Sequence, residues 1–126
     1  MSPSRPSRIR ALRGATTASG NSADAIATAT AELLDAMLRR NGVEEGDLIS
    51  IIFTTTPDLN AGFPATAARS LGLSDVPLLC AQEIDVPGAP ARCIRVLMHL
   101  ETAQEPLESV YLGEARALRT DLVEEQ

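Results

Sequence analysis

Glu83, Asp85 and Arg95 stand inside two apolar, strand-like runs joined by the turn Pro87-Gly88-Ala89-Pro90, in the stretch from Cys80 to Val96. A carboxylate or guanidinium in a half-buried strand costs several kcal/mol to desolvate unless a partner compensates it. These charges therefore either pair with one another or receive a charged ligand. Arg95 shares a strand face with Leu97 and His99, and its candidate structural partners are Glu83 and Asp85, which a short turn would bring near. Glu83 is equally suited to accept from a ligand hydroxyl, and spacing alone does not separate the two roles.

Arg13, Arg69, Arg95 and Arg119 come from four separate elements. If several converge, they make an anion site suited to a dicarboxylate, since each guanidinium can grip a carboxylate through two parallel bonds. Tyr111 is the single tyrosine, and its hydroxyl either reaches a polar group or ends an ordinary amphipathic strand. Cys80 is a candidate nucleophile but has no base near it in sequence, which favours a buried, inert thiol. By strict alternation Cys80 and Glu83 face opposite ways. His99 is the one histidine, with no second ligand at metal-binding spacing, so a zinc site is not expected. No Ser-His-Asp grouping is evident.

The elements that must position these residues follow from periodicity. Arg8 to Thr17 reads as a first strand with Ile9, Ala11 and Arg13 on one face. Asn21 or Ser22 can cap a helix through about Asn41, where Ile26, Thr30, Leu33, Leu34, Met37 and Leu38 form one stripe and Gly42 offers the stop. Leu48 to Thr55 is too apolar for a wet face and belongs inside a sheet. Phe63 to Gly72, with Pro64 at its start, predicts a shorter helix. Strands follow at Leu78–Asp85, Cys93–Glu101 and about Val110–Arg119. Five strands and two helices in this order imply an α+β architecture: one mixed sheet with both helices on one face.

The chain has 126 residues, 44% of them hydrophobic, which is one domain with a core of Ala, Leu, Ile and Val because only two Phe, one Tyr and no Trp are present. Its net charge of -6 argues against nucleic acid or an anionic membrane as partner, since both are held by cationic surfaces. All eleven basic residues are Arg, so every fixed side-chain cation is a planar donor. The two cysteines lack CxxC spacing and follow no secretory signal, which reads as reduced thiols in a cytoplasmic protein. Residues 1–7 form a Pro/Ser/Arg extension expected to be disordered, 8–122 the domain, and 123–126 a tail.

Between Arg8 and Leu122 the chain resembles the monofunctional chorismate mutases of the AroH class. The likeness is carried by Arg13-Gly-Ala-Thr-Thr, Thr56-Pro-Asp-Leu-Asn-Ala-Gly-Phe-Pro-Ala, Val76-Pro-Leu-Leu-Cys-Ala-Gln-Glu-Ile-Asp-Val, Cys93-Ile-Arg-Val, Val110-Tyr-Leu and Leu118-Arg119. It implies conversion of chorismate to prephenate, a pericyclic rearrangement in phenylalanine and tyrosine biosynthesis that uses no cofactor, metal or covalent intermediate. It also implies a homotrimer forming a pseudo α/β-barrel, with sites between subunits.

By the same resemblance, Arg95 donates to the breaking ether oxygen and a carboxylate, Arg13 and Tyr111 hold a carboxylate, and Glu83 accepts from the ring hydroxyl with Cys80 nearby. Phe63, Ala65, Arg69 and Leu79 wall the pocket from the neighbouring subunit, while Leu118 and Arg119 lie on a closing tail. Thr66 stands where the class carries a pocket-edge Lys, and Thr120 follows Arg119 where it carries Pro. The competing readings are an imine deaminase of the related trimeric fold and a non-catalytic trimeric ligand-binding protein.

Overall fold

The computed structural model describes residues 6–119, with side chains to residue 117. The extension up to residue 5, the tail, and the side chains of Leu118 and Arg119 lie outside it. Within it the chain runs β1 (Arg8–Thr17), α1 (Ala23–Arg40), β2 (Leu48–Thr55), α2 (Ala65–Ser70), β3 (Leu78–Gln82), β4 (Cys93–Thr102) and β5 (Val110–Tyr111), ending in a 3₁₀ segment, Gly113–Arg119. The strands form one mixed sheet in the order β3-β2-β4-β1-β5. β4 is antiparallel to both β1 and β2, whereas β3 and β5 run parallel to their neighbours. The fold is therefore α+β, and β2 lies inside the sheet as its apolar run requires.

Alternation gives the sheet two unlike faces. Leu12, Ile51, Phe53, Val96, Met98 and Val110 point to one side and are buried with Leu33, Leu34 and Met37 of α1 and Ala65 and Ala68 of α2. Each such large side chain contributes about 1.5–3 kcal/mol by leaving water. Gly14 lets α1 approach β1, because a Cβ there would collide with the Met37 sulfur. Ser22 caps α1, its side chain accepting from the Ala25 N–H at 3.0 Å, and Gly42, at φ +59, turns the chain out of the helix. Asn21 instead takes the N–H groups of Asn60 and Ala61 on its Oδ1, fixing the loop that leads into α2.

Two expected strands are shorter than their composition suggested. β3 stops at Gln82 rather than Asp85 because its partner β2 ends at Thr55, ahead of a proline that has no N–H for the ladder. Glu83 N–H makes the last bond, to the Thr55 carbonyl at 2.9 Å. β5 is only Val110–Tyr111. Leu112 N–H bonds to the Ala15 carbonyl at 2.9 Å, and then Gly113, at φ +58, redirects the backbone into the 3₁₀ segment. A side chain at Gly113 would sit 2.7 Å from Thr17 Oγ1, so glycine is needed for the close approach as well as for the conformation. This segment folds over one end of the second sheet face, where Ala115 buries Ala15 and Cys93.

Candidate active site

On the second face the register aligns side chains in rows. Tyr111, Ala15, Arg95, Thr54 and Ala81 form one row across five strands, and Arg13, Leu97, Ile52 and Leu79 the next. Most of each row encloses a concavity of about 310 Å³ lined by Arg13, Ala15, Ile52, Thr54, Arg95, Leu97 and Tyr111. That is the lower end of the size range for small-molecule sites. Its floor is apolar and its fixed charges are two guanidinium groups from adjacent strands.

Glu83 reaches this site from beyond the end of β3. β3 and β4 are not neighbours, since β2 lies between them. The Glu83 carboxylate spans that gap, with its Oε2 3.2 Å from Arg95 Nε and accepting from Thr54 Oγ1 at 2.7 Å. Among the described residues no second carboxylate pairs with Arg95, and none pairs with Arg13. The Arg95 side chain is 47% exposed and that of Glu83 16%, so the pair itself adds little stability. Asp85 lies exposed in the following loop.

Cys93 lies two residues before Arg95 on the same face of β4, fully buried beside Ala15 and Ala115. Burial pushes its thiol above the usual range, the Glu83 carboxylate adds to that, and Arg95 opposes it. It is therefore a protonated, inert thiol at neutral pH. Cys80 packs toward the helix-covered face and borders a separate groove with Phe63, Leu59 and Gln82.

Within the chain the structure brings Arg13, Arg95, Glu83 and Tyr111 together. Leu79 is on the same face but at the β3 edge, 60% exposed. Phe63, Ala65, Thr66 and Arg69 lie on α2 and its approach: Ala65 is buried in the core, Phe63 is 70% exposed, and Thr66 and Arg69 face solvent. Residues 118 and 119 continue the 3₁₀ segment rather than a strand, so Arg119 does not share a strand face with Tyr111. Sequence reasoning missed Thr54, Ile52 and Leu97. Thr54 was discoverable as a polar residue in phase with Ser50 in a largely apolar strand. Among the described residues no group of three or more His, Cys, Asp or Glu side chains could hold a metal ion, and no helix is long and apolar enough to cross a membrane.

The family described as chorismate mutase type I matches residues 9–122. The AroH chorismate mutase of Thermus thermophilus is 47% identical over 117 residues, 90% of this chain and 96% of that protein. That of Bacillus subtilis (strain 168) is 40% identical over 117 residues, covering 90% of this chain and 92% of the other. Among solved structures, a chorismate mutase from Clostridium thermocellum superposes with a TM-score of 0.84 at 51% identity, covering 86% of this chain and 98% of that one. The match spans every element that builds the concavity, and the chain belongs to the type I chorismate mutase family.

Proposed function

We propose that the concavity between Arg13, Arg95 and Tyr111, with Glu83 at its rim, holds chorismate and rearranges it to prephenate. The observation that carries this is the geometry of Arg95. Its Nε is ion-paired with Glu83 while the guanidinium stays half exposed in a pocket shared with Arg13, which pairs with no carboxylate among the described residues. Chorismate carries two carboxylates, a ring hydroxyl and an enol ether. Arg13 and the Tyr111 hydroxyl suit one carboxylate, and the terminal nitrogens of Arg95 suit the other together with the ether oxygen. The free side of the Glu83 carboxylate suits the ring hydroxyl.

In the rearrangement the ether C–O bond breaks as the new C–C bond forms within one molecule, so no proton or group is transferred. The protein has two tasks. It must hold the flexible side chain over the ring in a reactive shape, and it must meet the negative charge that grows on the ether oxygen with a preorganised donor. A cation already oriented by Glu83 needs little reorganisation when that charge appears.

The second wall of the site comes, in this reading, from a neighbouring subunit of a homotrimer. The uncovered sheet face and the exposed Phe63, Leu79, Ile84 and Val86, at 70%, 60%, 86% and 55%, support a partner there, because apolar groups of that size favour burial. Phe63, Thr66 and Arg69 would then reach across to a partner's pocket with Cys80 near its edge, and residues 118–119 would close over it. The buried thiol and the half-buried Cys80, both free, suit the cytoplasm.

Following chorismate loss and prephenate appearance with purified protein tests the assignment, and a flat trace at high enzyme concentration would overturn it. Mixing Arg69→Ala and Arg95→Ala subunits under exchange tests the shared site. Restored activity is expected, and none despite proven exchange would confine the site to one subunit.

A further inference from the structure

Thr54 has no part in the roles assigned above, yet it is the residue through which Glu83 and Arg95 meet. It lies in β2 directly opposite Arg95 of β4 on one side and Ala81 of β3 on the other. Glu83 is beyond the end of β3, so its carboxylate must reach back past β2 to touch Arg95. Thr54 Oγ1 donates to Glu83 Oε2 at 2.7 Å, the same oxygen that faces Arg95 Nε at 3.2 Å. Both anchors therefore fall on one carboxylate oxygen, and among the described residues no donor is bonded to Oε1. A hydroxyl donor on β2 and an ion-pair partner on β4 together restrain the carboxylate, whereas either alone leaves it freer to swing. The consequence extends to Arg95, whose Nε faces the oxygen so held at 3.2 Å.

Resting on the site reading above, we propose that Thr54 is a positioning residue for the rearrangement. Its hydroxyl locks Oε2 of Glu83, which leaves Oε1 for the substrate hydroxyl and turns the terminal nitrogens of Arg95 toward the reacting ether. A merely structural Thr54 would serve through its β-branched shape, which valine shares.

The test compares Thr54→Val, which keeps the shape and deletes the donor, with Thr54→Ser, which keeps the donor, in the wild-type and Glu83→Ala backgrounds. Folding is checked by thermal melting, and Thr54→Ala serves in place of valine should that variant not fold. Thr54→Val is expected to lower kcat/KM about tenfold or more, as for a hydrogen bond to a charged group, with the larger part in kcat. Thr54→Ser is expected to recover most of that loss. In the Glu83→Ala background Thr54→Val is expected to change the remaining rate by less than about twofold, since the group it positions is gone.

Wild-type kinetics in Thr54→Val, or an equal penalty in both backgrounds, would overturn the positioning role and leave the assignment of Glu83 intact. Undiminished turnover in Glu83→Ala alone would overturn both.

Discussion

The two faces of the sheet are made by the same strands and differ in almost everything else. On the helix-covered face Phe53, Met98 and Leu33 are fully buried and apolar, and what they contribute is stability. One residue away along the same strands, Thr54 and Leu97 are only partly buried and Arg95 is exposed, and Thr54 and Arg95 belong to a charged network left open on one side. The contrast shows how a small chain separates folding from chemistry. Alternation lets one strand commit half its residues to the core while the other half holds groups that a core would reject.

Core and site can be broken independently if that separation is real. Phe53→Ala should cost about 3–5 kcal/mol of stability by opening a cavity under the sheet, measured by urea unfolding, while activity in the surviving folded fraction stays near normal. Arg95→Ala should do the reverse, costing about 3 kcal/mol in transition-state stabilisation, mainly in kcat, with an unchanged melting curve. A lower melting temperature with kcat retained would instead return Arg95 to a structural partner of Glu83.

Buried polar residues sharpen the contrast. Asn41 gives its amide N–H to the carbonyls of Met37 and Glu108, at 2.9 Å each, and accepts from Glu108 N–H at 2.6 Å. Asn41→Ala should therefore lose about 1–3 kcal/mol of stability through stranded backbone groups, with little change in KM. Cys93 should resist alkylating reagents until the protein unfolds, as peptide mass mapping would show.

The smallest effect expected is at Asp58. Its carboxyl is held below the ordinary value of 3.8 chiefly by the Thr56 hydroxyl, against some desolvation, and also by the Arg92 N–H. A depressed carboxyl stabilises the folded state above its unfolded pKa and loses that contribution as pH falls through the folded one. Asp58→Asn should thus flatten the stability loss below about pH 4 in acid unfolding curves.

Legibility in the sequence followed the range of the interactions. The helix through Asn41, with its Ser22 cap and Gly42 stop, and the strands β1 and β2 were readable because their signals are local: caps, periods and breakers. β3 and β5 were overestimated because a strand extends only as far as its neighbour, and the neighbour is set by the sheet. The charged pair of Glu83 and Arg95 was legible as an anomaly, but not the route by which it forms. A short turn between their strands suggested direct adjacency, yet β2 is inserted between them.

From its residues alone this protein's helices, its one-sided core and its family motifs were determined, since those depend on spacing along the chain and on which side chains water rejects. Tertiary structure decided what the charges do. Only the order of the strands could put Thr54 between Glu83 and Arg95 and leave one face of the carboxylate and of the guanidinium open, because hydrogen-bond direction is a property of side chains meeting in space.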